Sequence, residues 1–129
     1  MAYNVLIVDD SPAMRSFVRR VIDMSGLEIG RYMEAENGQA AVDVLRADWI
    51  DVVLTDINMP VMDGDRFVRV MKADESLSQI PVIVVSTDRT ESRVQQMMDL
   101  GANGYVTKPF MPETLRDAIE NALGVNHGW

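Results

Sequence analysis

Five side chains in this sequence could together do phosphate chemistry: Asp9, Asp10, Asp56, Ser86 and Lys108. Each follows a short apolar run. Val5-Leu6-Ile7-Val8 precedes the acid pair, and Val52-Val53-Leu54 leads through Thr55 to Asp56. Val82-Ile83-Val84-Val85 precedes Ser86, and Gly104-Tyr105-Val106-Thr107 precedes Lys108. Three carboxylates form an oxygen-only donor set suited to a hard cation, and Mg²⁺ typically takes one or two carboxylates while keeping several waters. An aspartate carboxylate can also attack phosphorus itself, giving an aspartyl phosphate. Asp56 stands alone after its run and is the candidate nucleophile, with Asp9 and Asp10 as the metal-binding pair. Lys108 supplies a point charge for one phosphoryl oxygen and Ser86 a hydroxyl donor for another.

Singly, each residue has a plainer reading. An acid after a strand is often a helix cap or a turn residue, Ser86-Thr87 could cap the next helix, and Lys108 could be an ordinary surface lysine. The joint pattern outweighs these, because one mechanism requires all of these residue types.

For the five to meet, their runs must be neighbouring strands. Runs this short and rich in β-branched residues read as buried parallel strands, and ligands of an open parallel sheet sit beyond the strands' carboxyl ends. A further strand is expected over Arg31 to Ala35. Between the strands the apolar residues recur at helical spacing. Ser11 and Pro12 open a first helix with Met14, Phe17, Val18, Val21 and Ile22 inward, and Gly26 and Gly30 break it. Asn37-Gly38 turns into a second helix with Ala41, Val44 and Leu45 inward, and a third opens near Gly64 with Phe67, Val70 and Met71. The fourth carries Val94, Met97 and Met98, and the fifth Leu115, Ala118, Ile119, Ala122 and Leu123. Strict alternation with short connections predicts a (βα)5 doubly wound α/β sandwich with helices on both faces.

Composition agrees. The chain has 129 residues, 47% of them hydrophobic, which suits one domain with a substantial core. Cysteine is absent, excluding disulfides, thiol nucleophiles and thiolate metal sites. A net charge of −8 argues against binding nucleic acid or anionic membranes directly. No apolar stretch is long enough to span a bilayer, and Met1-Ala2-Tyr3-Asn4 lacks the features of a secretory signal, so a cytoplasmic location is expected. Residues 124–129, which include His127 and Trp129, are expected to form a short flexible tail.

Four segments resemble the receiver domain of two-component response regulators: Val8-Asp9-Asp10-Ser11, Leu54 to Gly64, Pro81 to Thr87, and Gly101 to Phe110. The resemblance covers essentially the whole chain in order and is nearest to the single-domain, CheY-like chemotaxis type. It implies a flavodoxin-like five-stranded parallel sheet of order 2-1-3-4-5. It implies further that Asp56 accepts a phosphoryl group from a sensor histidine kinase, and that Asp9, Asp10, Asp56 and the backbone carbonyl of Asn58 hold Mg²⁺. Ser86 and Tyr105 match the switch pair, and Asn58 and Asp88 flank the path of the water that removes the phosphoryl group. The Lys108–Pro109 bond is expected to be cis and Gly64 to occupy a turn needing a permissive backbone. Ser86 stands where threonine is commoner and Thr87 where alanine is usual, and neither change disables the site.

The expected function is thus a stand-alone phosphorylation switch, assisting its own phosphotransfer and autodephosphorylation without being an enzyme in the ordinary sense. Its output protein would dock on the face of the fourth helix, fifth strand and fifth helix, where Glu91, Arg93, Gln96 and Asn121 are expected to be exposed. A phosphorelay shuttle is the alternative. An FMN-binding flavodoxin is disfavoured because two acids in the first loop would repel the phosphate. A Mg²⁺-dependent phosphohydrolase is disfavoured because position 58 is Asn, where a second acid would be needed, and no cap insertion is present.

Overall fold

A computed structural model describes residues 2–124. In chain order the elements are β1 (Tyr3–Val8), α1 (Pro12–Ser25), β2 (Ile29–Ala35), α2 (Gly38–Ala47), β3 (Val52–Thr55), α3 (Gly64–Ala73), β4 (Val82–Ser86), α4 (Glu91–Asp99), β5 (Gly104–Thr107) and α5 (Pro112–Leu123). The five strands pair in parallel in the order β2-β1-β3-β4-β5. Side-chain alternation sorts β1 between two cores. Val5 and Ile7 pack with Val18, Ile22, Leu115 and Ile119 of α1 and α5, while Leu6 and Val8 pack with residues of α2, α3 and α4 such as Leu45, Phe67 and Met97. With both faces covered, every residue of β3 and β4 is buried, which is why these strands read as unbroken apolar runs.

The helices begin where local chemistry starts them. The Ser11 hydroxyl accepts the Met14 N–H at 3.2 Å ahead of Pro12 in the first turn. Asn37 and Asp63 cap α2 and α3 in the same way, at 2.9 and 3.0 Å. Gly26 closes α1 in the left-handed region, at φ 87°.

Several expectations need correction. Gly30 does not break α1; it lies within β2, which begins at Ile29 rather than Arg31. This is an edge strand paired only with β1, so backbone pairing defines its start and no apolar run marks it. Phe17 is 38% exposed and packs on the Phe110 ring at 5.9 Å, so it covers the edge of the core from outside. In α4 only Met97 is buried, and Met98 is an exposed residue because α4 touches the sheet along a narrow seam. Ser86 and Thr87 do not cap α4; Thr90 occupies that position without a side-chain cap bond. The Lys108–Pro109 bond is cis, as expected. Beyond Gly124, which ends α5, the expected tail lies outside the described residues.

Candidate functional site

Ladder hydrogen bonds continue past the strand ends and fix the rim. The Asp56 N–H donates to the Val8 carbonyl at 2.9 Å, the Asp9 N–H to that of Ala35 at 3.0 Å, and the Lys108 N–H to that of Ser86 at 2.8 Å. The backbones carrying four of the five candidate side chains, all but Asp10, are therefore set by the sheet, around the reversal in strand order between β1 and β3.

Four of these side chains, the three acids and Lys108, converge on one another. Asp9, Asp10 and Asp56 each offer a carboxylate oxygen, all within 4.8 Å of one another. Lys108 reaches in from the end of β5, with Nζ 3.6 Å from Asp9 Oδ2 and 3.7 Å from Asp56 Oδ2. These separations exceed hydrogen-bond length, so the ammonium sits between the two acids without being committed to either. One ammonium against three carboxylates leaves the pocket negative by two charges. An all-oxygen, anionic, partly water-accessible cluster is what a hard divalent cation needs, and these residues fit Mg²⁺.

The three acids differ in environment. Asp10 is exposed and Asp56 half-buried, while Asp9 is buried, with Oδ1 accepting the Ser11 N–H at 2.9 Å. Burial raises the Asp9 pKa above its ordinary value; the Ser11 bond opposes this, and the Asp56 carboxylate adds to it. Charge crowding is therefore secondary to desolvation at this residue. The second Asp56 carboxylate oxygen, Oδ1, accepts the Ile57 N–H at 2.7 Å, so its ladder-bound backbone is matched by an anchored side chain.

Gly64 follows from space rather than from backbone freedom. It opens α3, and a Cβ there would collide with the Asp56 carbonyl and stand 2.7 Å from the Ile57 Cα. The unusual backbone in this loop belongs to Val61, at φ 68°, bridged by the Met62 N–H donating to the Pro60 carbonyl at 2.7 Å. Ser86 is buried, and its hydroxyl accepts the Asp88 N–H at 3.1 Å. The half-buried Tyr105 donates its hydroxyl hydrogen to the Asp88 carbonyl, tying β5 to the loop that starts at Ser86. Asn58 and Asp88 line one recess of about 440 Å³ beside the rim, together with Arg93 and Gln96.

Two contributions escape sequence reasoning. Arg15 donates to the Asp9 carbonyl at 2.6 Å and to Glu34 at 2.8 Å, buttressing the acid pair from α1. The only available hint was a basic residue little more than one helical turn past the pair. Arg93, expected on an exposed face, is half-buried and bonds to Asp65 of α3 at 3.0 Å and to Gln96 at 2.7 Å. Glu91, Gln96 and Asn121 are exposed as expected.

The chain belongs to the response regulator receiver domain family, whose pattern it matches over residues 5–120. Among relatives, it is 34% identical over 126 residues to a chemotaxis protein CheY homolog of Campylobacter jejuni, covering 97% of this chain and 95% of that one. It is 36% identical over 124 residues to chemotaxis protein CheY1 of Helicobacter pylori, covering 95% and 98% respectively. Among solved structures, the chemotaxis response regulator CheY4 of Vibrio cholerae superposes with a TM-score of 0.82 at 31% identity, covering 95% of this chain and all of that one. The chain is thus a CheY-like receiver. Among the described residues no helix is long and apolar enough to cross a membrane.

Proposed function

We propose that this protein is a cytoplasmic response regulator that accepts a phosphoryl group on Asp56 from a sensor histidine kinase and signals by contact to another protein, in chemotaxis. The observation that carries this is the convergence of Asp9, Asp10 and Asp56 with Lys108 on one rim. In the reaction an Asp56 carboxylate oxygen attacks phosphorus, forming a P–O bond as the bond to the donor's imidazole nitrogen breaks. Asp9, Asp10, Asp56 and the Asn58 carbonyl would hold Mg²⁺, which would offset the repulsion between the anionic acceptor and the phosphoryl group. Lys108 is already poised over Asp56 and pairs with a phosphoryl oxygen, and Ser86 gives its hydroxyl hydrogen to another once its hydroxyl turns from the Asp88 N–H.

Ser86 and Tyr105 are both joined to Asp88, so movement of the serine reaches Tyr105 through this loop, which supports α4, β5 and α5 as the output face. Incubation with acetyl phosphate and Mg²⁺ should add one phosphoryl group by intact-mass measurement, and Asp56→Asn should abolish it. Full labelling of the Asn variant at another residue would remove Asp56 from the mechanism.

A further inference from the structure

A second surface lies at the opposite pole of the sheet, and the geometry points to it as a docking site for an arginine-bearing apolar segment of a partner protein. A cavity of about 570 Å³ opens there, floored by Leu45, Ile50, Leu77, Ile80 and Pro81. That volume is within the range of small-ligand and peptide-anchor pockets. Trp49 stands at its edge and is 78% exposed. Its indole is nevertheless held: the N–H donates to Asp51 Oδ1 at 3.0 Å, and Asp51 Oδ2 accepts the backbone N–H of Asn4 at 2.7 Å. The ring is thus fixed at its edge with most of its surface free, the state of a preorganised contact residue.

Charge identifies the occupant. Arg46 at the mouth is matched by Asp74 at 2.8 Å, and Asp48 faces Arg31 at 3.7 Å. Asp51 pairs with no cation among the described residues. The uncompensated charge is therefore a carboxylate hydrogen-bonded to the indole. A carboxylate has about four acceptor sites, of which these two bonds use half, so it can still receive a guanidinium. An arginine stacked on Trp49 satisfies the ring face and Asp51 together, and a neighbouring apolar side chain fills the floor. A second copy of this chain is disfavoured by a net charge of −8 on each molecule, and the chain's own terminus, Val125-Asn126-His127-Gly128-Trp129, contains no arginine or lysine. The site is independent of Asp56, so a partner held there leaves the rim and the output face free.

The test uses the full chain, isotopically labelled, with the two indole N–H signals assigned through Trp129→Phe. Titration with the synthetic peptide acetyl-Leu-Arg-Leu-amide should shift the Trp49 indole and the Ile50 and Ile80 amides saturably, equally in wild type and Asp56→Asn. Trp49→Leu should weaken binding, read at the two amides, about fivefold. The glutamate counterpart, acetyl-Leu-Glu-Leu-amide, should produce no saturable shift. Equal shifts from both peptides, or none from either, overturn the proposal. So does a Trp49 signal that moves when residues 125–129 are removed, which makes the tail the occupant, or one that moves with protein concentration alongside sedimentation as a dimer.

Discussion

At Val61 a β-branched residue occupies the left-handed region, 80% exposed, in the loop between Asp56 and α3. The side chain gains little from burial, and the conformation costs roughly 1–2 kcal/mol for an L-residue that asparagine tolerates better. Val61→Asn should therefore stabilise the protein by about 1 kcal/mol in urea titration. An unchanged or lower midpoint would mean that the loop relaxes away from this geometry. Asn58 bears on the proposed phosphorylation. It lines the recess beside the rim with Asp88, and a bulkier Met there should obstruct the approaching water and lengthen the phosphorylated lifetime. Decay of the phosphoprotein after donor removal measures this directly; faster decay in Asn58→Met would exclude water access as the control.

Among the elements, α3 is tied to the far half of the sheet by one lysine. Lys72 Nζ donates to the carbonyls of Ser78 at 3.1 Å and Ile80 at 3.2 Å, and to Asn103 Oδ1 at 3.4 Å. Burial lowers its pKa, and the three oxygens rather than a carboxylate hold the ammonium. The chain makes room for it at Gly101, where φ is 113° and a Cβ would stand 2.8 Å from Lys72 Cγ. Asn103 in turn accepts the Val82 N–H at 3.0 Å, so the same contact seats β4. Lys72→Met keeps the stem but strands these acceptors, which should cost about 1–3 kcal/mol. Chemical denaturation tests this, and a loss below about 0.5 kcal/mol would show that water replaces the ammonium at no cost.

For the whole molecule, Asp9 of the rim and two loop acids, Asp74 and Asp88, pull stability in opposite directions with pH. Asp9 has a raised pKa in the fold, so the stability its protonated form contributes is present below the ordinary carboxylate value and is lost as pH rises through the raised one. Asp74 and Asp88 have lowered values, from hydrogen bonds to Ser76 and Thr90 respectively, so their contribution is present above the ordinary value and lost as pH falls through the lowered ones. Stability should therefore peak near the ordinary carboxylate value and decline as pH rises from there through the raised Asp9 value. Asp56→Asn should flatten the decline by removing one of the charges that raise Asp9. Mg²⁺ should restore stability at neutral pH, by about 2.7 kcal/mol at a hundredfold excess over its dissociation constant. Thermal melts across pH with and without Mg²⁺ would count against the cluster as a metal site if they coincide at tens of millimolar metal.

The amino-acid sequence by itself determined the strand runs, most of the core residues and the five side chains of the rim. Those signals are local: apolar runs of strand length, helical periodicity, and reactive residues just past each run. It also carried the family, because the motifs around Asp9, Asp56, Ser86 and Lys108 recur in order. Only the tertiary structure decided how the members of the site differ. Asp9 is buried and Asp10 exposed although they are adjacent, since successive side chains leave a strand end in different directions and one of them meets the core. The buttress from Arg15, the pairing of Arg93 with Asp65 and the oxygen cage around Lys72 join residues from separate elements, and no spacing along the chain announces them. The crowding at Gly64 has the same origin: it is a contact with Asp56, visible only once the loop has folded back against the end of β3.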